Sequence, residues 1–159
     1  MSSMRINVIG LGNILFGDEG FGVEAVREFE RQGEYPESVQ FVDGGTQGIY
    51  LLDYIESCDA VMVFDALIPE EFESEVYIYQ KQELPGFIHR KMSSHQMGLS
   101  ELIGLANLRG RMPEKFVLIG IPPKCLDLGA ALTPEARSLL DKSVEKGREI
   151  LDGWLQGEA

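Results

Sequence analysis

The chain has 159 residues, 44% of them hydrophobic, and 26 acidic side chains against 14 Lys and Arg give a formal net charge of −12. That length suits one domain, residues 1–159, with a core of its own, and the lack of a Lys/Arg cluster argues against a nucleic-acid partner. No apolar run approaches the ~20 residues that span a bilayer, and the N-terminus makes a poor secretory signal, so no membrane partner is expected.

In chain order, "RINVIGL" (5–11) reads as a buried strand that runs into the glycine-rich "GLGNILFGDEGFG". A helix comes next over about 19–32, its apolar face marked by Gly22, Val26 and Phe29. "VQFVD" (39–43) is a second strand, and Tyr50, Leu51, Tyr54 and Ile55 mark a second helix over about 47–57. "AVMVFDA" (60–66) is a third strand. "EVYIYQ" (75–80) alternates, with Val76 and Ile78 on one face and Tyr77 and Tyr79 on the other, which suits an edge strand. A third helix over about 94–107 carries Leu99, Leu102, Ile103 and Ala106, and "FVLIGI" (116–121) is the last buried strand. Thr133-Pro134-Glu135 opens a final helix over about 134–155, with an N-cap threonine and a proline at the first helical position. Strands alternating with helices predict a single α/β domain with a mainly parallel sheet.

The first loop begins like a dinucleotide fingerprint but departs from it. A third glycine is required where Leu15 stands, and the helix start is pushed out to Asp18 or Glu19. Two carboxylates would occupy the place of the pyrophosphate, and their charge opposes an anion. A flavodoxin-like nucleotide binder is therefore disfavoured.

There remains a set of acids at strand ends. In open α/β sheets ligands bind beyond the carboxyl ends of the strands. Asp18 and Glu19 come after the first strand, Asp43 of "DGGT" ends the second and Asp65 of "VFDAL" ends the third. His95 in "KMSSHQMGLSE" lies in the first turn of the third helix, behind Ser93 as N-cap and Gln96 in a capping-box position, on the face of Leu99 and Leu102. The positive helix end disfavours imidazolium there, leaving the neutral, metal-binding form. Two carboxylates and an imidazole from separate elements suit a divalent ion such as nickel, zinc, iron or manganese. Each residue also has a plainer reading. Asp18 and Glu19 would cap the first helix, Asp43 would sit in a turn, Asp65 would cap the segment after its strand, and His95 would be a core histidine. His89 reads as a loop residue. Cys58 and Cys125 lack CxxC spacing and read as free thiols of a cytoplasmic protein.

"GLGNILFGDEGFGV", "DGGTQGIYLL", "VFDA", "KMSSHQMGLSE" and "LIGIPP" together resemble the [NiFe]-hydrogenase maturation endopeptidases, and "DGGTQG" with "KMSSHQ" is most similar to their uptake-hydrogenase branch. The resemblance runs in order from residue 5 to about 123. It implies a peptidase, classed as aspartic-type, that removes a C-terminal extension from the hydrogenase large-subunit precursor after nickel insertion. It also implies metal binding by Glu19, Asp65 and His95, with the nickel carried by the precursor and other divalent ions accepted. The implied fold is a three-layer α/β/α sandwich resembling phosphorylase/hydrolase domains, with a five-stranded sheet in the order 2-1-3-5-4 and strand 4 antiparallel. A monomer is expected. Asp43 is the spare carboxylate for a general base, with a turn or outer-shell role as the alternative. Because no Ser-His-Asp, Cys-His or HExxH set is present, a non-enzymatic nickel-binding maturation chaperone is the rival reading.

Overall fold

The computed structural model describes residues 4–45, 47–67, 73–84 and 99–157. Its five strands are β1 (Ile6–Leu11), β2 (Val39–Gly45), β3 (Ala60–Ala66), β4 (Tyr77–Gln80) and β5 (Lys115–Ile121). Among the described residues the helices are α1 (Phe21–Gln32), α2 (Leu52–Glu56), α3 (Leu99–Leu108) and α4 (Pro134–Leu155), with 3-10 turns at Gly17–Gly20, Gly48–Leu51 and Lys81–Glu83.

The strands form one sheet in the order β2-β1-β3-β5-β4. β1 runs parallel to β2 and β3, β3 runs parallel to β5, and only β4 is antiparallel, paired with β5 from Tyr77↔Gly120 to Gln80↔Val117. The expected architecture is the observed one. β1 is buried along its whole length, as a strand covered on both faces must be.

Alternation along the strands sends side chains into two cores. Ile6, Val8, Met62 and Phe64 meet Phe21, Phe29, Leu140 and Trp154 beneath α1 and α4. Ile9, Val61, Val63 and Leu118 meet Leu51, Ile55, Leu102 and Ile103 beneath α2 and α3. β4 and the residue before it obey the same rule, with Val76 and Ile78 packed toward the first core and Tyr77 and Tyr79 toward the second. Both sheet faces are thus covered, in three layers.

Two local expectations are corrected. The helix over 19–32 starts at Phe21, because Gly17–Gly20 winds as a 3-10 turn, and neither element has a side-chain cap. Tyr50, expected on the apolar face of the second helix, is 77% exposed. Its segment also begins as a 3-10 turn, and three residues per turn rotate Tyr50 off the stripe that Leu51 and Ile55 keep. No helix among the described residues is long and apolar enough to cross a membrane.

Candidate functional site

The chain leaves β1 through α1 toward β2, at one edge, and then returns to place β3 on the other side of β1. Connections leave the carboxyl ends of β1 and β3 in opposite directions, which opens a crevice at that switch point. Glu19 enters it from the β1–α1 loop and Asp65 from the end of β3.

Gly12 makes the close approach of this loop possible. Its φ of +124° is open to glycine and strained for other residues, and a Cβ there would run into the Glu19 carbonyl oxygen. Gly22 does the same for α1, since a Cβ on it would strike the carbonyl oxygens of Leu11 and Phe64. The first turn of α1 therefore lies directly on the ends of β1 and β3, and the acidic loop is held over the crevice.

Asp18 and Glu19 are adjacent yet serve different ends. Asp18 is fully buried. Its carboxylate accepts hydrogen bonds from the backbone N–H groups of Lys124 (2.8 Å), Cys125 (3.2 Å) and Thr133 (2.8 Å) and from the Thr133 hydroxyl (3.0 Å). The Asp18 N–H donates in turn to the Cys125 carbonyl at 2.7 Å. This residue ties the β1–α1 loop to the β5–α4 loop, a role beyond that of the helix cap expected of it. No local signal could have revealed it, because its partners lie more than a hundred residues away in sequence. Thr133 is shared, since the same Oγ1 caps α4 by accepting from the Ala136 N–H at 3.2 Å.

Glu19, by contrast, is only part-buried, and its carboxyl is held above the usual carboxylate range by loss of water. Asp65 is shifted further. Burial first, and then the charge of Glu19, push its carboxyl up to about 8, while the Ala66 N–H pulls it part of the way back. The two carboxylates therefore feel each other's charge. Among the described residues no cation pairs with either. By strand alternation Asp65 lies on the α2/α3 face of the sheet, opposite to Phe64. Two acids that disfavour each other's ionisation, with no counter-charge among the described residues, fit a divalent cation.

Asp43 lies at the same edge but on the other face. It is exposed and pairs with Arg27 of α1 at 2.8 Å. The strand-end acids share an edge but not a face. His95, Ser93, Gln96 and His89 lie outside the described residues. Among the described residues there is no cluster of three or more His, Cys, Asp or Glu side chains that could hold a metal. A groove of about 420 Å³ bordered by Lys81, Phe116 and Trp154 sits at the start of β5, the opposite edge, and takes no part in this arrangement.

A family model described as "Hydrogenase maturation protease" matches residues 23–150. This chain belongs to the hydrogenase maturation protease family. It is 44% identical over 152 residues to the hydrogenase expression/formation protein HupD of Bradyrhizobium diazoefficiens, covering 94% of this chain and 79% of that one. It is 33% identical over 144 residues to the hydrogenase 2 maturation protease of Escherichia coli, covering 90% and 88%. The solved hydrogenase maturating endopeptidase HybD from E. coli superposes with a TM-score of 0.85 at 32% identity, over 94% of this chain and 93% of that one. This maturation protease thus shares its fold with a solved endopeptidase of the family.

Proposed function

We propose that the protein is an endopeptidase that removes the C-terminal extension of a [NiFe]-hydrogenase large-subunit precursor of the uptake branch, and that it recognises the nickel the precursor already holds. Family membership supports the peptidase reading. The motifs "DGGTQG" and "KMSSHQ" and the similarity to a HupD protein support the branch. The observation that carries the nickel reading is the Glu19–Asp65 pair, two acids from separate elements with no counter-cation among the described residues.

In this reading Glu19, Asp65 and His95 take up open coordination positions of the precursor's nickel, so the ion tags the loaded substrate and positions the scissile bond. Docking a cation between Glu19 and Asp65 replaces their repulsion by attraction, and it favours the ionised form of both acids. An aspartic-type mechanism would instead need two acids sharing a proton, which competes with metal for the same oxygens. Asp43 is assigned to an exposed ion pair rather than to the role of general base, because Arg27 engages its carboxylate on the other face. The free thiols of Cys58 and Cys125 support a cytoplasmic setting.

The test is incubation of the protein with nickel-loaded and with nickel-free precursor, and then mass measurement. The loaded precursor is expected to lose its C-terminal extension and the nickel-free one to stay intact. Equal cleavage of both would overturn nickel recognition in favour of a metal-independent carboxylate mechanism. A precursor that shifts in mobility but is never cut would overturn the peptidase reading in favour of a nickel-binding chaperone.

A further inference from the structure

The loop that carries Glu19 also carries three apolar side chains that face water. Ile14 is 48%, Leu15 57% and Phe16 36% exposed, and on the β5–α4 loop Leu126 and Leu128 are 46% and 72% exposed. Apolar side chains scattered singly over a surface need no explanation, but these stand on two loops that are fastened together. Phe16 and Leu128 form an antiparallel bridge. The Gly129 N–H donates to the Leu15 carbonyl at 2.6 Å, and the Gly17 N–H donates to the Ala130 carbonyl at 3.1 Å. Below them the buried Asp18 carboxylate binds both loops. The five exposed side chains therefore stand on two loops fixed to each other, an apolar lip, and the strand of chain that makes half of it runs on within a few residues to Glu19.

We propose that this lip is a second point of grip on the substrate, taking an apolar stretch of the precursor chain beside the cation that Glu19 and Asp65 receive. The inference rests on the function proposed above and adds the surface that would read the polypeptide as well as the ion. Charge complementarity names the occupant. The protein carries a net charge of −12, and the crevice beside the lip presents the acids Glu19 and Asp65, which no cation pairs among the described residues. A second copy of so acidic a chain would bring like charge to that place, whereas a chain carrying a cation next to apolar residues matches both halves of the surface. Recognition is then bipartite. The ion reports that the precursor is loaded, and the lip grips its chain.

The experiment uses the Leu15→Ser/Leu128→Ser double variant, the Leu128→Ser single variant and a Leu108→Ser control. Leu108 is 85% exposed at the end of α3, toward the opposite edge of the sheet. Cleavage kinetics and binding are measured with nickel-loaded large-subunit precursor, alongside thermal unfolding of each variant. KM and Kd should rise about ten-fold in the double variant with kcat little changed, and less in the single variant, as expected when apolar anchors are lost from a docking surface. The control should match wild type. Wild-type KM and Kd in a folded Leu128→Ser and a folded double variant would overturn the lip. Should the double variant fail to fold, unchanged values for Leu128→Ser alone would overturn it. A wild type that binds precursor but never cuts it would overturn the peptidase reading, while the ratio of the binding constants would still decide the lip. Absence of any binding by wild type would overturn both.

Discussion

Asp18 and Glu19 show how far adjacent residues of like charge can diverge. Asp18 is fully buried and meets four donors, so its carboxylate is satisfied within the protein. Replacing it by Asn keeps the size but sets an NH2 group among groups that can only donate or already donate. Asp18→Asn is expected to cost about 2–4 kcal/mol, against ~1 kcal/mol for a lost helix cap, read as a lower urea midpoint at unchanged slope. Glu19→Gln should leave that midpoint nearly unchanged and abolish cleavage of nickel-loaded precursor. Cleavage at the wild-type rate would remove Glu19 from the proposed site. Asp43→Asn loses an exposed ion pair worth about 0–1 kcal/mol and should keep cleaving, and a loss of kcat would restore Asp43 as a base. Asp65 sets a pH dependence. Its carboxyl binds a proton more tightly in the folded protein than in the unfolded chain. The native state therefore holds the extra proton between the ordinary value of 3.8 and about 8. Stability from this group is complete below the lower value and is lost as pH rises toward the upper one. Asp65→Asn should flatten that part of the profile of thermal midpoint against pH.

At the scale of elements, the site depends on how closely α1 approaches the sheet. Gly22 leaves no room for a Cβ between the carbonyls of Leu11 and Phe64, and both obstacles are backbone. Gly22→Ala is expected to destabilise the fold by at least about 2 kcal/mol, because strands and helix must separate rather than a side chain rotate. It should also move the Glu19 loop off the crevice and lower activity beyond what the loss of stability explains. Helix α4 contributes at a distance. Its capping residue Thr133 gives its N–H and hydroxyl to Asp18, so the start of the last helix also anchors the first loop. Thr133→Val should therefore cost more than a cap alone, and its effect should not add to that of Asp18→Asn in a double-mutant cycle on urea midpoints.

For the whole molecule, the proposed site predicts a linkage between ion and fold. A divalent cation that binds the native state alone raises stability by about 2.7 kcal/mol at a hundred times its dissociation constant. Nickel added to the protein without precursor should raise the thermal midpoint, and Glu19→Gln and Asp65→Asn should each abolish the rise. An identical rise in both variants would place the binding elsewhere on this acidic surface.

Much of this protein is determined by the sequence alone, because local signals carry it. Continuous apolar runs rich in Val, Ile and Phe and the helical spacing of apolar residues identify the buried strands and most helical faces among the described residues. The alternation at 75–80 marks β4 as the edge strand, and Thr133-Pro134 marks the start of α4 to the residue. The residues at strand ends, Glu19 and Asp65 among them, are legible for the same reason, since a parallel sheet delivers its strand ends to one edge. Only the tertiary structure decided what each acid does there. Asp18 is a buried anchor because backbone donors from 124, 125 and 133 converge on it, and none of them is near in sequence. Asp43 faces Arg27, and Asp65 the other way, because one residue of strand phase turns a side chain to the opposite face. The apolar lip likewise exists only once the Phe16–Leu128 bridge joins two loops. Sequence periodicity specifies which face a residue seeks, whereas the partner it meets is specified by contacts between distant segments, and those form only when the chain has folded.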